Sequence, residues 1–135
     1  MSNELKTEVF YKPWELKHAL PDRLILDALY DDFEGFRLLL RSYEPIQQVL
    51  RVRFPDHLAY RNTNESERLR TWSRYRDAAR CGIFQVENSR WLEWIGIESF
   101  ETLKLDELRH FAVHSVEDCV DVITYSDPIV EILGS

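Results

Sequence analysis

The run Val49-Leu50-Arg51-Val52-Arg53-Phe54 sets the tightest limit on how this chain can fold. Alternation puts Leu50, Val52 and Phe54 on one side of a strand and Arg51 and Arg53 on the other, as in a sheet with one face on a core and one in water. A second run, Phe36-Arg37-Leu38-Leu39-Leu40-Arg41, follows Gly35, and Ser42–Ile46 carries Tyr43-Glu44-Pro45, adequate for a hairpin connection. Leu24–Tyr30 forms a preceding strand that turns through Asp31-Asp32-Phe33-Glu34-Gly35. A helix is the competing assignment there, because Leu24, Leu26 and Leu29 do not fix a period.

Upstream of these strands, residues 1–12 form a loosely held arm in which Val9, Phe10 and Tyr11 can add a short edge strand. Pro13 opens a short helix through Trp14–Ala19, and Pro21 stops it. Asn62-Thr63-Asn64-Glu65 is a helix-start signal, and the helix runs to about Ala79, ending at Cys81-Gly82. Leu69, Trp72, Tyr75, Arg76 and Ala79 then share one side, opposite Glu67, Arg70, Arg74 and Asp77. Ile83–Val86 is a short strand, and Asn88-Ser89 caps a second helix, Arg90–Ile95, stopped by Gly96. Arg109–Ser115 and Cys119–Tyr125 form a closing hairpin around Val116-Glu117-Asp118; Pro128 ends it, and Ile129–Leu133 makes one helical turn. The expected fold class is α+β, a mainly antiparallel β-sheet with two or three helices packed against it. No repeat or Gly/Ser linker interrupts the 135 residues, so one domain is expected over 1–135.

Charge is unevenly distributed. Residues 1–50 hold nine carboxylates against six bases, residues 51–80 four against eight arginines, and residues 81–135 eleven against three, for an overall −7. Thirteen of the seventeen cationic side chains are arginine, whose planar fork suits carboxylate pairing. The arginine-rich middle is therefore expected to pair with the acidic end rather than form a nucleic-acid groove, and the acidic balance opposes direct binding to phosphate backbones. No stretch of about eighteen apolar residues spans a bilayer. The first residues lack a secretory pattern, so a cytoplasmic location without membrane association is expected.

No chemical motif stands out. His110 and His114 have metal-ligand spacing on a helix, but on a strand they sit about 13 Å apart and cannot share an ion. Cys119, His114 and Asp121 have the residue types of a nucleophile, base and orienter, without the turn such a site needs. Adjacent acids at Asp31-Asp32, Asp106-Glu107 and Glu117-Asp118 follow no calcium-loop pattern. No phosphate-binding glycine loop is present. Hence no catalytic residue, metal or cofactor is assigned, and Cys81 and Cys119 are expected to be free thiols. Seventeen aromatics leave a clearer signal: Trp91 and Trp94 lie among Glu87, Glu93, Glu98, Glu101, Asp106 and Glu107. Aromatic anchors amid carboxylates suit an interface with a basic protein.

Phe33-Glu34-Gly35-Phe36-Arg37, Ala59-Tyr60-Arg61-Asn62-Thr63-Asn64-Glu65 and the closing His110-Phe111 with Cys119-Val120-Asp121-Val122-Ile123 and Pro128 resemble the small immunity proteins encoded beside bacterial toxins. The resemblance is to those of contact-dependent growth inhibition and covers roughly residues 30–130. It implies a non-enzymatic cytoplasmic domain that binds one cognate toxin C-terminal domain, often a nuclease. The class shares no contact residues, so Glu87, Trp91, Glu93, Trp94, Glu98, Glu101, Asp106 and Glu107 are toxin-binding candidates from charge and aromatic content alone. Two alternatives stand beside it: a small enzyme using a carboxylate pair or Cys119, and an RNA-binding domain using the arginines of 51–80. A homo-oligomer is compatible with each.

Overall fold

The computed structural model describes residues 8–14, 16, 20–42, 47–64, 80–99 and 102–134. Among these residues, nine strands run in chain order: β1 (Phe10–Pro13), β2 (Ile25–Asp32), β3 (Gly35–Arg41), β4 (Val49–Phe54), β5 (His57–Asn64), β6 (Gly82–Glu87), β7 (Arg109–His114), β8 (Asp118–Thr124) and β9 (Ile129–Gly134). Among the described residues there is one α-helix, α1 (Arg90–Glu98), and one 3-10 turn at Leu105–Glu107. The strands make two antiparallel sheets, ordered β1-β6-β7-β8-β5 and β2-β3-β4-β9. This corrects the expected α+β class: the fold is mainly β, two sheets with one described helix.

The sheets pack face to face. Phe36, Leu38, Leu40, Leu50, Val52 and Phe54 of the four-stranded sheet meet Ile83, Phe111, Val113, Val120 and Val122 of the five-stranded one. Phe36 stacks on Tyr60 at 4.6 Å, and Phe54 lies 6.2 Å from Phe111, so aromatic rings bridge the layers. The alternation of β4 survives intact, with Leu50, Val52 and Phe54 buried and Arg51 and Arg53 facing outward. Opposite Arg51 in the register sits Glu131 of β9. Arg51 Nε donates to Glu131 Oε1 at 3.0 Å and Arg53 Nε to the same oxygen at 2.7 Å. Arg37 likewise pairs with Asp32, and Arg41 with Asp27. The outer face of this sheet is thus an arginine layer neutralised by acids, including one from the C-terminal part, as the charge distribution predicted.

The five-stranded sheet differs: β7 and β8 are buried along nearly their whole length, on both faces. Its outer side carries a second apolar cluster of Tyr11, Phe84, Val86 and Ala112, together with buried His110, His114, Cys119 and Asp121. The period-2 geometry of a strand places His110 and His114 on that one face.

Several local expectations change. Pro13 closes β1 instead of opening a helix, and Trp14 N–H donates to Ile83 C=O at 2.8 Å, extending the chain beside β6; residues 15 and 17–19 lie outside the described residues. Asn62-Thr63-Asn64 forms the last part of edge strand β5. The helix expected from residue 65 to Ala79 falls on residues outside the described ones, as does most of the Ser42–Ile46 connection. Ile129–Leu133 is not a helical turn but strand β9, paired with β4. Gly96 does not stop α1, which continues to Glu98. Its missing side chain makes room for the 3-10 turn, since a Cβ there would meet Leu105 Cδ1 at 2.5 Å.

Candidate functional site

β6 ends at Glu87, and the chain turns through Asn88 into α1. Asn88 holds φ at 57°, the left-handed region that asparagine tolerates better than most residues, and its side-chain amide donates to Glu8 C=O at 2.9 Å. Ser89 then caps α1, accepting the Leu92 N–H at 3.1 Å. The cap read from Asn88-Ser89 in the sequence is therefore present. Arg90, Glu93, Trp94 and Ile97 recur at i, i+3, i+4 and i+7 and form the exposed stripe of the helix. Trp94 is 54% exposed and Ile97 63%.

The opposite side of α1 is held on the sheet. Trp91 sits edge-on to His110, centroids 5.3 Å apart, with the Arg61 guanidinium 4.5 Å from its ring centre. Trp91 is consequently half-buried and belongs to the helix–sheet junction, while Trp94 is the outward tryptophan.

Of the toxin-binding candidates, Glu87, Glu93, Trp94, Glu98, Asp106 and Glu107 are exposed; Glu101 lies outside the described residues. Leu105 against Gly96 brings the 3-10 turn with Asp106 and Glu107 onto α1. Glu87 and Glu93 line one open cleft of about 420 Å³ whose walls include Val86, Leu92, Leu105 and Leu108. Glu93 pairs with Arg90 of its own helix at 3.3 Å. Among the described residues, Glu87, Glu98, Asp106 and Glu107 have no cationic partner, in contrast to the acids of the arginine layer.

Beneath this surface runs a chain of polar contacts that the sequence did not reveal. Ser89 Oγ lies 2.6 Å from His110 Nδ1, and His110 Nε2 lies 2.7 Å from Asp121 Oδ1. Arg61 Nε donates to Asp121 Oδ2 at 3.2 Å. Asp121 is fully buried and His110 2% exposed, so these bonds satisfy groups that would otherwise be costly to hold away from water. The three residues come from the β6–α1 turn, β7 and β8. His114, weighed with Cys119 and Asp121 in the sequence, does stand opposite Cys119 in the register, but the imidazole that reaches Asp121 is His110. Cys81 and Cys119 are both free thiols. Among the described residues, no cluster of three metal-ligating side chains occurs and no helix is long and apolar enough to cross a membrane. No family model, curated protein or solved structure matches this chain.

Proposed function

We propose that this chain is a protein-binding domain of the toxin-immunity type, neutralising a basic toxin domain through the outward face of α1 and the adjoining 3-10 turn. One observation carries the reading: four acids without a cationic partner among the described residues gather around α1, where other acids are held by arginine. Asp27, Asp32, Asp121, Asp127 and Glu131 are engaged by arginine. Glu87, Glu98, Asp106 and Glu107 keep their charge unpaired among the described residues, beside exposed Trp94 and Ile97. Unpaired carboxylates attract a cationic surface over a Debye length and raise the encounter rate, while an exposed tryptophan supplies apolar area that can be desolvated on contact. Carboxylates placed this way can occupy the cationic groups that a nuclease turns toward phosphates. The rival use of Arg51, Arg53 and Arg61 for RNA is disfavoured because Glu131 and Asp121 already engage them.

The test is binding of the purified chain to the C-terminal domain of the toxin encoded beside it, followed by stopped-flow at low and high salt. Glu93→Lys with Glu98→Lys is expected to slow association at least tenfold at low salt and flatten its salt dependence. Binding with unchanged kinetics would place the interface elsewhere, and an absence of binding would remove the reading.

A further inference from the structure

We propose that Ser89 is a reactive nucleophile, activated by His110 and positioned through Asp121, that accepts the acyl group of a small neutral ester entering the cleft beside α1. This goes beyond the docking role, because it concerns the cleft and the groups beneath it rather than the outward stripe of the helix.

The geometry offers a path for the serine proton. Ser89 Oγ accepts the Leu92 N–H with one lone pair and lies 2.6 Å from His110 Nδ1, within reach for handing over its own proton. His110 Nε2 then carries the ring proton and donates it to Asp121 at 2.7 Å. In the neutral ring this leaves Nδ1 as the acceptor a general base requires, with the imidazole held by a fully buried carboxylate that Arg61 engages from its other oxygen. The ring is turned end for end relative to the familiar serine-hydrolase arrangement, but proton transfer needs only one nitrogen facing each partner.

Access and charge stabilisation come from the same turn. Ser89 and His110 both line the open cleft, whose apolar walls suit a short aliphatic acyl chain and whose Glu87 and Glu93, set against a single Arg109 already paired with Asp127, disfavour anionic substrates. The Leu92 N–H and the positive end of α1 stabilise negative charge on Oγ as its proton leaves. Asn88, at φ 57°, is an unusual backbone conformation placed immediately before the serine at a strand-to-helix turn.

In the reaction, Ser89 Oγ–H gives its proton to His110 Nδ1 while Oγ forms a bond to the acyl carbon. The ester C–O bond then breaks, and the leaving alkoxide takes that proton as an alcohol. Water, deprotonated by His110, attacks the acyl-serine, releasing the acid and restoring Ser89. Atoms and protons balance without another reagent.

The folded protein is treated with an alkyl fluorophosphonate and with p-nitrophenyl butyrate. Expected are a single adduct located on the Ser89 peptide by mass spectrometry and ester hydrolysis above the buffer rate. Ser89→Asn, which keeps a capping oxygen but no nucleophile, should lose both. His110→Gln, shown folded by circular dichroism, should label about 100-fold more slowly. No adduct on Ser89 of the wild-type protein, or equal labelling in His110→Gln, would overturn the proposal and leave the three residues as a clamp for α1.

Discussion

Glu131 is held by two arginines at once, and its titration can be followed in the stability of the protein. Hydrogen bonds from Arg51 foremost, and from Arg53, bring its carboxyl from an ordinary 4.5 down to about 2. The folded state therefore binds this proton less readily than the unfolded chain, and the contact stabilises fully above about 4.5. That stabilisation fades as pH falls and is gone below about 2. In urea titrations of wild type against Glu131→Gln, the gap between midpoints should be constant near neutral pH, shrink from about 4.5 downward and close near 2. A gap unchanged at pH 2 would mean the charge is not its source. Asp32, beside Arg37, is lowered for the same reason. The Glu131 contact was legible in outline, because the charge distribution implied pairing of the arginine-rich middle with the acidic end; the Arg37–Asp32 contact, between near neighbours across a turn, was not. The Ser89–His110–Asp121 chain was not. Ser89 and His110 are 21 residues apart and belong to different elements. Asp121 stands opposite Ala112 in the register, one pleat along from His110, so strand pairing had to be known before their contact could be drawn.

At the scale of elements, α1 depends on the residue that caps it, Ser89, more than its length suggests. A helix of nine residues is short of what holds together in water on its own, so its cap and its contact with the sheet decide whether it forms. Ser89→Ala should cost about 1 kcal/mol from the lost cap alone, measured by urea denaturation, whereas Ser89→Asn should stay within a few tenths. Equal losses in both would put the stabilisation in the His110 contact instead. The capping signal and the strands β3, β4, β7 and β8 were visible because each rests on neighbours in sequence: an acceptor at the helix start, or alternation along a buried face. The ends of β5 and the whole of β9, which rest on distant partners, were not. β5 ends in Asn62-Thr63-Asn64, short polar residues that locally read as a helix start, and an edge strand tolerates them because β8 supplies the ladder. β9 follows Pro128 and is only six residues long, so nothing local distinguishes it from a helical turn until β4 is placed beside it. Gly96 carries the usual stop signal, yet it serves close packing by Leu105.

Across the whole molecule, the four-stranded sheet is completed by a strand far from its neighbour in sequence, β9 beside β4. Arg51 and Glu131 meet over a separation of 80 residues, and Val130 packs on the core beside Val52. Removing residues 129–134 should therefore leave β4 without its outer neighbour and abolish a cooperative urea transition. A truncated chain that still unfolds sharply would show that β9 is dispensable. The same long-range pairing governs how the chain is made. At about 5–20 residues per second, a ribosome needs on the order of 4–16 s to travel from β4 to β9. For that interval Leu50, Val52 and Phe54 belong to an open-edged strand that can recruit any extended segment nearby. β9 is thus the stretch that takes the nascent chain out of reach of misassembly, and slow elongation between β4 and β9 lengthens the period in which a chaperone is needed.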